Sequence, residues 1–488
     1  MLVYGLKVSV FVYIALVFAY ILAGRIFNVA LAKKVLIIWG VMLPFLFVLR
    51  DPFITIIVYS GLLILFTKDL SDSERLFFFI AGLAAVPTWS KYVPNLPGFS
   101  GLYVLSYWKV IIAIVLIPFF FKTKSRKYNF NIADIGVILF FIYTSIIFFS
   151  RSDIYSATVT LRHVLDNFLY YLVPYFVISR IVASNPKESL NYAAWGFLIL
   201  SFLLCSIFLF NQVFKLDLYN VFRPGGSIYG GVVGNGYRGS FLRTEGPLAA
   251  EGLGIIAALG GISLFILSQY FKISFFKLVL CFAFFTFAVV TTGSRGALFS
   301  FILSVAVFKF FNSNFIARFG IASLLVVALI AYFGFYSSEP VFEDEYGTFE
   351  FRELLFEASF DFLEEKPFFG DLEYAYSGYF DHLRRGGSGF IDVVSVYLTI
   401  ALPYGYVGLV LYLIPLIFIL FKLSAYLIFS PKMNKELKPY TSLYLSVICG
   451  YLFLVSTVSD VGLIVLFGSI VMAICRGIMF QIEDASTN

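Results

Sequence analysis

Charge is what this sequence has least of. Only 13% of its 488 residues are Asp, Glu, Lys or Arg, where soluble domains carry about a quarter. Hydrophobic residues make up 60% and the mean hydropathy is +0.93, so long soluble domains are excluded. Histidine is nearly missing, with 2 residues, and cysteine is scarce, with 4. Cys205, Cys281, Cys449 and Cys475 all sit inside apolar runs and show neither disulfide nor zinc spacing, which makes them small core hydrophobes. No metal and no cofactor is expected. The chain also lacks a GxxxxGK[ST] phosphate loop and any cytoplasmic stretch long enough for a nucleotide-sugar domain, which argues against coupling to ATP. It shows no solenoid repeat and no pair of similar halves.

What is abundant is the apolar run. A spanning helix needs roughly 20 apolar residues to cross about 30 Å of hydrocarbon. Runs bounded by charge, Gly or Pro fall near 6–24, 34–49, 53–67, 75–88, 107–121, 134–150, 164–183, 192–212, 246–270, 274–292, 296–311, 318–336, 402–422, 440–457 and 460–480. The expected fold is an all-α polytopic membrane protein with about 13–15 transmembrane helices. The first run, Val8 to Ala23, is followed by Arg25, Lys33 and Lys34 rather than by a small-residue cleavage site, and is expected to be retained as a span.

The connections alternate in charge. Lys/Arg clusters at 25–34, 68–75, 122–127, 180–187, 272–277, 309–318 and 422–438 occupy every second loop and are assigned to the cytoplasm by the positive-inside rule. The segments 89–106, 151–163, 213–245 and 337–389 then lie outside. Three regions follow: N-terminal transmembrane helices over 1–212, a core over 213–425 with outer loops 213–246 and 337–389, and C-terminal helices with a short cytoplasmic tail over 426–488. Most lysines fall inside and most arginines outside. Lysine suffices as a topological charge, whereas the planar arginine fork suits phosphate, so an anionic phosphate ligand is expected at the outer surface. The net charge of +6 follows largely from the positive-inside excess, and nucleic-acid binding is not indicated.

The first outer loop is rich in Gly and Arg, with Arg223, Gly234, Arg238, Arg243 and Glu245 ahead of Pro247. Between two spans lies Thr291-Thr292-Gly293-Ser294-Arg295-Gly296, a hairpin that places an arginine at the outer membrane end, where a charge is costly unless it has a role or snorkels. The second outer loop has an acidic, solvated stretch, then Arg352, an amphipathic run to Lys366-Pro367-Phe368-Phe369-Gly370, and a polar cluster with His382, Arg384, Arg385 and Asp392. His382 is a candidate general base. Asp392 is expected to cap the next helix, to hold a carboxylate at the membrane surface, or both. The other histidine, His163, stands between Arg162 and Asp166, where a structural ion pair is expected.

The order of these elements over roughly 220–425 resembles the Wzy-type O-antigen and capsule polymerases, in the superfamily of the O-antigen ligases. The matching pieces are Arg238-Gly-Ser-Phe-Leu-Arg243-Thr-Glu245-Gly-Pro247, Gly293-Ser-Arg295-Gly, Arg352 through Glu365-Lys-Pro367-Phe-Phe-Gly370, and Asp392 through Tyr397 to Tyr404-Gly405-Tyr-Val-Gly408. Ligases typically have a His-Asn pair where this chain reads Ile391-Asp392, and the Asp form looks more like a polymerase.

The resemblance implies a metal-independent membrane glycosyltransferase of GT-C-like type in the multi-pass bacterial inner membrane, acting on its outer face in lipopolysaccharide or capsule synthesis. Its partners would be undecaprenyl-diphosphate-linked glycan and the bilayer, with a chain-length regulator and a flippase as further partners. Arg238, Arg243, Arg295 and Arg352 would bind the diphosphate, and Asp392, His382 and Glu245 are the candidate catalytic groups. An O-antigen ligase delivering glycan to lipid A core and a lipid-linked oligosaccharide flippase are the alternatives. A flippase would be expected to place charges deep within its spans.

Overall fold

The computed structural model describes residues 29–45, 51–83, 91–93, 104–122, 129–151, 156–214, 237–238, 241–242, 249–271, 273–314, 316–321, 348–384, 391–429, 435–458 and 463–487, with single residues at 10, 13, 14, 17 and 323. The expected spans 6–24 and 318–336 lie largely outside these. The described helices are α1 (Val29–Pro44), α2 (Pro52–Thr67), α3 (Asp72–Gly82), α4 (Tyr107–Ile111), α5 (Ile117–Lys122), α6 (Ile132–Ser150), α7 (Ala157–Asn167), α8 (Val173–Ser184), α9 (Pro186–Phe214), α10 (Ala249–Phe271), α11 (Phe275–Thr291), α12 (Arg295–Phe311), α13 (Thr348–Glu365), α14 (Val396–Phe429), α15 (Lys438–Thr457) and α16 (Ile464–Thr487). Extended structure among the described residues is confined to two antiparallel ladders of two residues a side. The protein is an all-α polytopic membrane protein, and among the described residues six helices, α6, α9, α10, α14, α15 and α16, are long and apolar enough to cross a membrane.

Local chemistry sets the helix ends. Asp51 accepts from the amides of Phe53 and Ile54, and Ser71 with Glu74 and Asn131 with Asp134 form reciprocal capping boxes, which satisfy otherwise orphaned N–H groups. Two π turns, Ile112–Leu116 and Phe168–Leu172, join α4 to α5 and α7 to α8. Each precedes a proline, Pro118 or Pro174, whose ring lacks an N–H and crowds the carbonyl four residues back, inside the π turn.

Exposed Leu65, Phe275, Phe276, Phe421 and Phe429 clothe the bundle in apolar surface, which hydrocarbon tolerates and water does not. Inside the bundle, lipid supplies no hydrophobic drive, so helices meet through small residues. A side chain on Gly450 of α15 would collide with Ser304 and the Ser300 carbonyl of α12, and one on Gly254 of α10 would collide with the Ala297 backbone of α12.

One charged pair is buried in this interior. Arg476 of α16 and Asp134 of α6 are both fully buried, and the guanidinium Nε lies 3.1 and 2.9 Å from the two carboxylate oxygens. Tyr175 of α8 donates to the same carboxylate at 3.1 Å, and Arg476 also donates to the carbonyl of Asn129. This clasp ties three helices together at the end that the lysine clusters place in the cytoplasm.

The expected boundaries hold to within a few residues for most spans. The span expected at 402–422 differs: α14 begins at Val396 and continues to Phe429, through a break at Gly405 (φ 65°, ψ −173°). The core divides in two, a main one through the bundle and a small one at the outer end, formed by α13, residues 374–383 and 391–394, and the start of α14.

Candidate functional site

The segments that carry two of the motif arginines, Arg295 and Arg352, both contact Thr457 at the end of α15. Gly293 (φ 64°) turns the chain between α11 and α12, a conformation that glycine adopts without strain. Ser294 then caps α12, accepting from the amide of Ala297 at 3.3 Å, so Arg295 is the first residue of the helix. The next residue, Gly296, packs against Thr457 and Val458 at the end of α15, where a Cβ would stand 2.9 Å from the Thr457 hydroxyl. From the other side Arg352 of α13 donates through Nη2 to the Thr457 carbonyl at 3.2 Å. Its Nε is buried with no hydrogen-bond partner, and among the described residues no carboxylate pairs with Arg352 or Arg295. Arg295 is exposed and Arg352 half-buried.

The small outer core carries the candidate base. Leu355, one turn after Arg352, packs there with Phe380, Leu383, Ile391 and Val393. Ile391 and Val393 anchor an extended segment that holds Asp392 half-buried between them, and Leu383 holds the short 3-10 turn Asp381–Leu383, on which His382 is exposed. Arg352, His382 and Asp392 thus hang on one cluster of side chains. Asp392 is not a helix cap: α14 starts at Val396, with the Thr399 amide donating to the Ser395 carbonyl at 2.9 Å, so the helix begins a turn too late for Asp392 to reach its first amides.

Two further motif pieces clamp on each other. The Tyr406 amide donates to the Pro367 carbonyl at 2.7 Å, and the Asp371 amide to the Leu402 carbonyl at 2.9 Å. Tyr143 of α6 donates to the carbonyls of Phe368 at 3.0 Å and Tyr404 at 2.8 Å. Gly370 and Gly405 both have positive φ, and a side chain on either would run into the opposing backbone. Asp371 secures the clamp through Lys366 and through Arg151, 3.4 Å away at the end of α6. Burial would raise the Asp371 pKa, but the hydrogen bonds from Lys366 and the Glu373 amide, with the charges of Lys366 and Arg151, outweigh it and hold the carboxyl below its ordinary value.

His163 does not form the expected ion pair. Asp166 turns instead to Lys109, while the imidazole stacks on Phe148 with ring centroids 3.5 Å apart. Its Nε2 lies 2.9 Å from the Asn167 amide nitrogen and 3.1 Å from the Tyr404 hydroxyl. The four cysteines are free, three of them buried, as expected of core hydrophobes. Sequence reasoning also passed over Thr457 and Tyr143, whose roles rest on geometry at helix ends and carry no local signal. Arg243 and Glu245 lie outside the described residues, and Arg238 is described only as backbone in the second ladder.

Residues 278–413 match the family model described as O-antigen ligase, Wzy_C. The matched segment holds Arg295, Arg352, His382, Asp392 and the clamp, and does not reach the loop with Arg238, Arg243 and Glu245. It is consistent with membership of the O-antigen ligase/polymerase superfamily, whose members are glycosyltransferase-like enzymes. No curated protein gives a significant match.

Proposed function

We propose that this protein polymerises undecaprenyl-diphosphate-linked oligosaccharide repeat units into O-antigen or capsular polysaccharide on the outer face of the bacterial inner membrane. The observation that supports the reading is that Arg352 and Gly296, the neighbour of Arg295, both contact Thr457 at one end of α15, while Leu355, Ile391 and Val393, near Arg352 and beside Asp392, share one small core. The acceptor hydroxyl attacks the anomeric carbon of the growing glycan. The bond from that carbon to the diphosphate breaks, and the leaving group takes the electron pair. Arginines already in place stabilise the charge that develops, without reorganising. Arg238 and Arg243 would join them if the first outer loop folds over the same face.

The proton goes to Asp392, held by its buried neighbours at the mouth of α14, while Glu245 and His382 are the other candidates. A positioned carboxylate serves as general base and orients the hydroxyl. The choice of polymerase over ligase rests on Asp392 standing where ligases typically carry a His-Asn pair. The family description as O-antigen ligase favours a second reading, the same bond chemistry with lipid A core as acceptor. Glycan profiling of a deletion strain separates them. Surface glycan limited to one repeat is expected; completed polymer left on its lipid carrier would assign the protein as a ligase, and repeats trapped in the cytoplasm would assign it as a flippase.

A further inference from the structure

A cavity of about 190 Å³ lies between α6, α7, the following π turn, α14 and α16. It stands apart from the arginine cluster, and its polar wall is made by Thr144, His163, Asn167, Tyr171, Thr399 and Tyr404. The rest of the lining is aromatic and aliphatic, and none of the lining residues is Asp, Glu, Lys or Arg. Tyr171 is 4% exposed, and its hydroxyl has no hydrogen-bond partner. A buried hydroxyl left unpaired is costly and calls for explanation. Two breaks in helical geometry open onto the same space. The π turn Phe168–Leu172 brings the consecutive residues Tyr170 and Tyr171 into one wall, and Pro403 has no N–H to give the carbonyl of Thr399. Helix distortions of this kind recur at functional sites.

These features select among ligands. A diphosphate would find no counter-charge in the wall. A prenyl chain would leave the buried Tyr171 hydroxyl without a partner. The volume is below the roughly 300–1,000 Å³ of drug-sized pockets, so a glycan chain does not fit. Flat aromatic faces beside a few hydroxyl, amide and imidazole groups suit a hydroxyl-bearing ring. Along the chain the cavity neighbours the site: Val396, Thr399 and Ile400 line it, and Asp392 stands just before them in the sequence.

We infer that this cavity receives one uncharged sugar ring of the lipid-linked glycan and is the element that selects the repeat unit. This rests on the polymerase reading above. The His163 Nε2 and the Tyr404 hydroxyl exchange their mutual contact for sugar hydroxyls, and the Tyr171 hydroxyl gains the partner that it lacks.

The test uses the full chain in lipid nanodiscs and saturation-transfer NMR. The probes are methyl glucopyranoside, methyl galactopyranoside, N-acetylglucosamine and N-acetylgalactosamine, with glucuronic acid and farnesol as charged and prenyl controls. At least one neutral sugar is expected to take up saturation, and to lose it several-fold in Tyr171→Phe and in the cavity-filling Thr399→Leu. Tyr171→Phe keeps the side-chain shape and carries the test if Thr399→Leu fails to fold. No transfer to any neutral sugar, transfer unchanged in the variants, or variant-sensitive transfer confined to farnesol or glucuronic acid would overturn the inference. The deletion-strain glycan profile reads the polymerase assignment independently. A deletion strain with normal polymer beside variant-sensitive sugar binding would remove the polymerase function and leave the sugar site standing.

Discussion

The two ends of the bundle use arginine in opposite ways. At the cytoplasmic end Arg476 is fully buried and faces Asp134 along both carboxylate oxygens, with Tyr175, the Asn129 carbonyl and Glu483, 3.6 Å from Nη1, around it. At the outer end Arg352 is given one carbonyl, at Thr457, and its Nε is left without a partner. A charge sealed in protein must be paired where it lies, or it costs several kcal/mol. The difference lies in what the protein supplies to each guanidinium: two carboxylates at Arg476, and a single carbonyl at Arg352.

The largest effects should separate the two ends by kind. Asp392→Asn, which keeps shape and removes the proton acceptor, is expected to abolish chain extension at unchanged protein level; normal polymer ladders in that variant would take Asp392 out of the mechanism. At the other end, Asp134→Ala strands a buried guanidinium and is expected to cost about 3–5 kcal/mol of stability, seen as a lower melting temperature and reduced yield. Adding Arg476→Met to Asp134→Ala removes the stranded charge and should recover much of that loss. Were the single variant as stable as the native chain, the clasp would be no clasp.

Smaller effects should come from the clamp that joins the outer loop to the bundle. Gly405→Ala forces a side chain into the Phe368 backbone at positive φ, where strain is about 1–3 kcal/mol. It is expected to loosen the 366–372 segment, read as faster proteolysis of the outer loop with the transmembrane helices still protected. The smallest effect is a pH dependence. Because the Asp371 carboxyl is held below its ordinary value, its contribution is fully present above the usual carboxylate range and is lost only as pH falls through the lowered value. Proteolytic protection of the outer loop should therefore be flat from neutral pH down to that range and fall below it, and Asp371→Asn should abolish the acid step.

Much of the fold was legible because hydropathy and charge report directly on the bilayer. The TTGSRG turn between α11 and α12 was located from sequence, and so was the presence of an arginine at its outer edge. The start of α14 was not: Pro403 with Gly405 read as a boundary, although Val396 to Leu402 already form helix ahead of them and the chain resumes its helix beyond. The capping expectation for Asp392 failed for the same reason. The clasp was illegible because its partners are 342 residues apart in the sequence. His163 was misjudged because its sequence neighbours Arg162 and Asp166 suggested ion pairing, while the contacts that matter come from Phe148 and Tyr404 on other helices.

The outer arginines can act as forks or merely as positive charges, and the two differ in what lysine can replace. The decisive measurement is the polymer chain-length ladder from a deletion strain complemented with Arg352→Lys or Arg295→Lys at matched protein levels. Each variant retains a charge and loses the bidentate geometry, and a drop in polymer of about a hundredfold is predicted, the scale on which a single charge-stabilising donor acts. Full-length ladders from both strains would show that guanidinium geometry plays no part.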